Sequence, residues 1–220
     1  TKEDVAVLKR VIVQNVAADG YGVLNAADPL VAAMASICTG KVIFFAADRH
    51  HPVMATHRAQ GNRVVYVDGD AIVAAEGSWR ESIPLREIPL TRNGAITFQV
   101  ENVMASIGAA WAVGVPWQTI RRGLAGFLND SDNAPARFNV MDYRGATIIA
   151  DYGHNPDAIR ALSQAVEAMP ARHRSVVISG AGDRRDQDIT EQTQILGKVF
   201  DDVILYQDAC QRGRADGEVM

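Results

Sequence analysis

Apolar residues recur at helical spacing at the start of the chain. Val5, Leu8, Ile12 and Val16 lie three or four positions apart before Ala18-Asp19-Gly20 breaks the pattern. Residues 21–25 form a short run suited to a buried strand. Asp28-Pro29 opens a second helix to about residue 38, with Asp28 a good N-cap and Pro29 a good first helical residue. A strand over 41–46, a short helix over 51–60 and a strand over 63–67 keep the rhythm. Such alternation predicts βα units and a parallel sheet. Residues 71–98 differ, and their short alternating segments predict a β ribbon. A long Ala-rich helix over 100–113 ends at Gly114-Val115-Pro116, and Pro116 starts another to about residue 127.

Residues 129–133 are polar throughout and place a domain boundary, giving domains 1–133 and 134–220. Beyond it the pattern predicts strand 137–143, a turn at Arg144-Gly145, strand 147–150 and helix 155–168. Strand 175–179, helix 189–200 and strand 202–206 follow. The fold class is α/β, as two domains with mostly parallel sheets. The chain opens at Thr1 inside a helical pattern and closes at Met220 in what reads as the start of another helix, so a fragment is expected.

Composition narrows the function. At 220 residues and 48% hydrophobic, the chain can bury one good core or two modest ones. A formal charge of −4 gives no electrostatic reason to expect nucleic acid as a partner. Cys38 and Cys210 lie far apart with no CxxC spacing, so no disulfide framework or structural zinc site is expected, and no metal ligands are assigned. A reducing cytoplasm is the natural compartment. Apolar runs such as residues 42–47 are too short to span a bilayer and no signal-peptide pattern opens the chain, so no membrane partner is expected.

The most informative stretch is Ile148-Ile149-Ala150-Asp151-Tyr152-Gly153-His154-Asn155-Pro156-Asp157. Asp151 sits where an apolar strand ends, the ligand edge of an open α/β sheet. Gly153 permits backbone conformations that other residues resist. Asn155-Pro156 opens the next helix, which places His154 at its positive end, where N–H groups and the dipole favour a phosphate. The same residue types also fit a plain helix cap and a solvated loop.

Asp151-Tyr152-Gly153-His154-Asn155-Pro156 resembles the Asp-Tyr-Ala-His-(Asn/Thr)-Pro signature that begins the C-terminal domain of Mur ligases and folylpolyglutamate synthases. Three further segments are similar to that family: Leu24-Asn25-Ala26-Ala27-Asp28-Pro29, Gln99-Val100-Glu101-Asn102, and Pro135-Ala136-Arg137-Phe138. Two of them depart from its pattern, with Ala27 in place of an aspartate and Ala136 in place of a glycine. The resemblance implies a partial central ATP-binding domain followed by a Rossmann-like C-terminal domain. It further implies that Asp151 holds the ATP ribose, Tyr152 lies against adenine, His154 lies near the phosphates, Asn102 contacts the adenine edge and Arg137 reaches phosphate. ATP and Mg2+ are the implied cofactors. The implied chemistry is activation of a carboxylate as an acyl phosphate, followed by coupling of an amino acid.

Gly182-Asp183-Arg184-Arg185-Asp186 resembles the family loop that faces the incoming amino acid. With Gln211-Arg212-Gly213-Arg214 it is most similar to the cyanophycin synthetases, whose C-terminal half adds arginine to poly-aspartate. That likeness makes Asp183, Arg184, Asp186 and Arg212 candidate substrate residues and leaves a homo-oligomer open. Asp188 joins Asp183 and Asp186 as a candidate for a substrate guanidinium, and Asp208 and Arg214 fit either substrate carboxylates or water. Peptidoglycan-precursor Mur ligases and folylpolyglutamate synthase-like ligases are the alternative, and a non-catalytic nucleotide-binding module is a reading of another class. An NAD site is disfavoured: Gly180-Ala181-Gly182 starts like GxGxxG, but Arg185 replaces the third glycine and the helix is expected only near residue 189. No GxxxxGKS/T phosphate loop occurs, so the catalytic centre is expected upstream of Thr1.

Overall fold

The computed structural model describes residues 1–219, in two compact units, residues 1–128 and residues 129–219. In the first unit a five-stranded sheet has the order β1 (Tyr21–Asn25), β2 (Lys41–Asp48), β3 (Val64–Asp68), β4 (Ala71–Glu76) and β5 (Trp79–Pro84). β1, β2 and β3 run parallel, while β4 and β5 return antiparallel, so the sheet is mixed. The expected ribbon is thus β4–β5 and ends at Pro84. Beyond it, residues 85–87 and 89–91 form two 3-10 turns.

Side chains alternate across a strand, which accounts for both buried faces of this sheet. Ile43, Phe45, Val65, Ile72, Ala74 and Ile83 meet Val100, Val103, Met104 and Ile107 of helix α4 (Thr97–Ala112). Helix α5 (Trp117–Gly126) adds Ile120 to the same cluster. On the opposite face Leu24, Phe44, Ala46, Val64, Tyr66 and Val73 pack with Val13, Met34 and Met54. Val13 belongs to helix α1 (Lys2–Gln14) and Met54 to α3 (Pro52–Ala59). Between these, α2 (Pro29–Ala33) runs into a 3-10 turn over Met34–Ile37. Asp28 caps α2 as expected, its Oδ1 accepting from the N–H groups of Leu30 and Val31. The stripe that announces α1 does not bury as a whole, and Leu8 and Ile12 remain 73% and 68% exposed.

His57 of α3 packs edge-on against Phe44 at 4.9 Å and bonds the Val42 carbonyl through Nε2 at 2.9 Å. Burial holds its pKa below the ordinary histidine range, with the carbonyl bond opposing. A histidine depressed in the folded state contributes stability that is present above the unfolded pKa and fades as pH falls through the folded one. Between pH 7 and 5, the native chain is expected to lose more melting temperature than His57→Gln, and equal losses would remove His57 from the acid response.

In the second unit, β6 (Asn139–Tyr143) and β7 (Ala146–Ala150) form an antiparallel hairpin, and β8 (Ser175–Ile178) pairs in parallel with β9 (Asp202–Leu205). Helices α6 (Pro156–Glu167) and α7 (Asp186–Val199) pack together. α7 begins at Asp186, earlier than its apolar pattern suggests, because Arg185 adopts an extended N-cap conformation and Asp186 and Asp188 favour a first turn. Spacer residues are anchored within this unit: the Asn129 amide donates to the carbonyls of Arg137 and Phe138, and Asn139 donates back to the Asn129 carbonyl. Residues 212–213 and 216–219 form turns, and the helix start expected at Met220 lies outside the described residues. Among the described residues no helix is long and apolar enough to cross a membrane.

Candidate functional site

β7 ends at Ala150, and Asp151 follows as an exposed residue at the strand's C-terminal edge. Its Oδ1 accepts the Gly153 N–H at 2.6 Å, folding the loop back on itself. Gly153 serves here by its size. Its φ is not positive, but a Cβ there would lie 2.8 Å from Asp151 Oδ1. Asn155 is the N-cap of α6, its Oδ1 accepting from Ala158 N–H at 2.9 Å, and Pro156 is the first helical residue. The cap of α6 is therefore Asn155, and Asp151 is left with a free carboxylate oxygen toward solvent.

His154 is half-buried, with Nδ1 2.8 Å from the Tyr152 carbonyl oxygen. That bond places a proton on Nδ1 and leaves Nε2 free: an acceptor in the neutral ring, a donor in the doubly protonated one. The second form fits a phosphate. The Tyr152 and His154 rings lie 5.0 Å apart, and Tyr152 is 49% exposed. Arg137 stands over the Tyr152 ring at 5.8 Å, in a segment where Ala136 and Phe138 both take positive φ. The Ala136 carbonyl accepts the Tyr152 N–H at 2.9 Å, which fixes the Arg137 turn to the loop. Asp151, Tyr152, His154 and Arg137 are thus gathered in one unit.

Asn102 lies in the first unit and is exposed, with its amide donating to Gln99 Oε1 at 3.1 Å. α4 starts at Thr97, so Asn102 is already inside the helix and does not cap it.

In the loop after β8 and the first turn of α7, Asp183, Asp186 and Asp188 all meet guanidinium groups, and all are the chain's own. Asp183 pairs with Arg212 at 2.8 Å, Asp186 with Arg214 at 2.7 Å and Asp188 with Arg185 at 2.6 Å. Arg214 also donates to the carbonyls of Gly182 and Arg184, so it organises this loop rather than facing water. The two glycines admit a neighbouring stretch of chain. A Cβ at Gly182 would run into the Gln211 carbonyl, and one at Gly180 would meet the Val219 carbonyl oxygen at 2.9 Å. Among the described residues the buried Nε of Arg184 has no hydrogen-bond partner.

Arg212 joins the two loops, donating to Asp183 and, at 3.2 Å, to the Tyr152 hydroxyl. The Arg212 bond holds the Asp183 carboxyl below the usual carboxylate range. In Arg212→Ala the Asp183 pKa is expected to return toward that range, read from its carboxyl carbon-13 shift. An unmoved titration would show that the pair does not form in solution.

Sequence reasoning missed Gln192. It is buried on α7 and its amide donates to the His154 carbonyl at 3.4 Å, tying the helix to the loop. The available signal was a polar residue between Ile189 and Leu196 on an otherwise apolar stripe.

Residues 136–219 match the family described as Mur ligase, glutamate ligase domain. A cyanophycin synthetase of Geminocystis herdmanii is 37% identical over the whole chain, which spans 25% of that relative's length. MurF from Acinetobacter baumannii has a similar structure, with a TM-score of 0.66 and 16% identity over 93% of this chain and 42% of its own. E. coli FolC, solved in complex with DHPP and ADP, gives a TM-score of 0.61 and 19% identity over 92% of this chain and 42% of its own. Residues 136–219 thus resemble the Mur ligase, glutamate ligase domain, and the chain as a whole is similar to a quarter-length stretch of a cyanophycin synthetase.

Proposed function

We propose that the chain supplies the adenosine-side contacts and part of the second-substrate site of an ATP-dependent amide ligase, one that couples arginine to poly-aspartate. In this reading residues 1–133 are the later part of a central domain and 134–220 its C-terminal partner domain. The observation that carries the reading is the loop of residues 151–154. It offers an outward carboxylate, an exposed aromatic ring and an imidazole nitrogen directly before the capped N-terminus of a 12-residue helix. That donor set fits a nucleoside phosphate: the carboxylate accepts from ribose hydroxyls, the ring stacks, and the imidazole and helix N–H groups meet anionic oxygens. Arg137 adds a guanidinium fork suited to phosphate, and Asn102 is assigned to the adenine edge. Magnesium would be held by ligands outside these residues. The ADP in the FolC complex supports nucleotide use in a similar fold.

The reaction transfers the ATP γ-phosphoryl group to a carboxylate, giving an acyl phosphate and ADP. The amine of the second substrate then attacks, an amide forms and inorganic phosphate leaves. Arginine is favoured as that substrate by the likeness to cyanophycin synthetases. The test uses a longer protein that contains this chain and an upstream phosphate loop. ADP release is expected to require both poly-aspartate and arginine. Release driven by another amino acid, or none with arginine, would sink the assignment. The 220-residue chain alone is expected to show no ADP formation above background, since it holds no phosphate loop.

A further inference from the structure

Five elements of the first unit bring an end to one place. Tyr21 opens β1, Arg63 directly precedes β3, Trp79 opens β5, Trp111 stands in the last turn of α4 and Trp117 opens α5. Together they line a cavity of about 350 Å³, which holds all three tryptophans of the chain. The Trp79 ring lies 5.0 Å from that of Trp111 and 6.0 Å from that of Trp117, spacings at which aromatic rings attract one another. Gly114 sets the turn between α4 and α5 through its positive φ of 76°. A Cβ built there meets nothing within 4 Å, so the rim is open beside it.

Arg63 is fixed within this aromatic setting. Its guanidinium carbon lies 4.6 Å from the Tyr21 ring centre and 4.4 Å from that of Trp111. Nε donates to Glu76 Oε2 at 3.0 Å and Nη1 to the Trp111 carbonyl at 3.3 Å, which leaves Nη2 as the uncommitted donor. Lys41 brings a second cation, its Nζ 5.7 Å from the Tyr21 ring centre. Two cations against the single carboxylate of Glu76 leave these groups with a positive balance. On another wall, the buried Nε1 of Trp117 has no hydrogen-bond partner among the described residues.

A small volume walled by rings, with donors to spare and a positive balance, describes a site for an anion with a flat apolar body. We propose that this cavity binds a small aromatic carboxylate, its ring packed against the tryptophans and its carboxylate on Arg63 Nη2. Trp117 Nε1 completes the donor set by tilting toward the cavity, where the ligand supplies the acceptor it lacks. The site is separate from the proposed nucleotide contacts. Asn102 and Trp111 are both on α4, about 13 Å apart along the helix axis. The cavity also gathers at the N-terminal ends of β1 and β3, opposite the strand edge at which open α/β sheets ordinarily bind ligands. The inference therefore stands whether or not the ligase reading holds.

Benzoate is the probe, and the indole Nε1–H resonances of the nitrogen-15-labelled chain are the readout, one for each tryptophan. Single Trp→Phe variants assign them. Benzoate is expected to shift them saturably, Trp117 most. Benzamide, which has the same shape without the charge, and phenyltrimethylammonium should each bind about tenfold more weakly or worse, as loss of a charge-assisted contact requires. Arg63→Gln should weaken benzoate by a similar factor. Trp117→Phe keeps the wall and removes only the donor, so it should keep the melting temperature and still lose affinity. In a longer polypeptide that contains this chain, benzoate should move the same resonances. Absence of a saturable shift overturns the proposal, as does benzoate affinity unchanged by Arg63→Gln or by Trp117→Phe. Equal binding of benzamide gives the cavity to neutral rings, and tighter binding of phenyltrimethylammonium makes it a cation cage; each overturns the carboxylate assignment. Loss of the response in the longer polypeptide overturns the site itself, since upstream sequence would then fill it.

Discussion

Asp151→Ala, in a longer ligase that contains this chain, is expected to weaken ADP binding by about 1–3 kcal/mol, the range for hydrogen bonds to a charged group. Asp151 has two tasks. Oδ1 accepts from the Gly153 N–H, and the remaining carboxylate capacity is open for the ribose hydroxyls. Alanine removes both, so a second variant is needed to separate them. Asp151→Asn keeps an oxygen for the turn while losing the charge. It should retain the melting temperature of the parent and still lose part of the ADP affinity, measured by titration calorimetry. Should Asp151→Ala bind ADP as tightly as the native protein, the ribose role is gone and the carboxylate is only a turn-former. Should Asp151→Asn match alanine in melting temperature, the turn depends on charge rather than on an acceptor.

The fold was legible wherever one physical rule dominated. β1 and the start of α2 follow from an apolar run and from Asp28-Pro29, each a local preference that packing reinforces. The periodicity of α1 revealed a helix but not its burial, because a stripe says which residues share a face and not what covers it. α4 starts three residues earlier than its pattern indicates. Thr97 and Phe98 are poor sequence markers of a helix start, and Ile96 provides no side-chain cap. α7 also starts early, since its polar first turn hides from an apolar search.

The candidate site was legible as a loop and not as a network. Strand end, glycine and Asn-Pro located residues 151–156 at a ligand edge from the chain alone. The partners of those residues lie far off in sequence: Gln192 reaches the His154 carbonyl and Arg212 reaches the Tyr152 hydroxyl. No local propensity encodes such pairs. The three aspartates near residue 183 look like a cation site in sequence, whereas in space each is matched with an arginine from its own unit. A substrate guanidinium entering there must compete with Arg212, Arg214 or Arg185. Affinity for it therefore depends on a difference between two ion pairs in water, and exposed pairs of this kind contribute little each.

Ile107→Ala is expected to destabilise the first unit by about 2–5 kcal/mol, the cost of removing a fully buried aliphatic side chain whose surroundings relax only in part. Ile107 has no exposed surface, and it lies with Met104 and Val103 in the layer between α4 and the sheet. Relaxation is limited on the β1 side. Gly108, the next residue, already brings the helix so close that a Cβ there would lie 2.8 Å from Val23 Cγ1. The helix cannot move inward to fill the space, so a cavity should remain. All three tryptophans, Trp79, Trp111 and Trp117, belong to this unit, and their rings cluster within 6.0 Å of one another through Trp79. Intrinsic tryptophan fluorescence during urea unfolding therefore reports on this unit alone. Val113→Ala, at a position 80% exposed, serves as the control and should fall within about 0.5 kcal/mol of the native chain. A midpoint for Ile107→Ala as close to native as the control would mean that α4 does not seal the sheet, and the placement of Asn102 on that helix would fall with it.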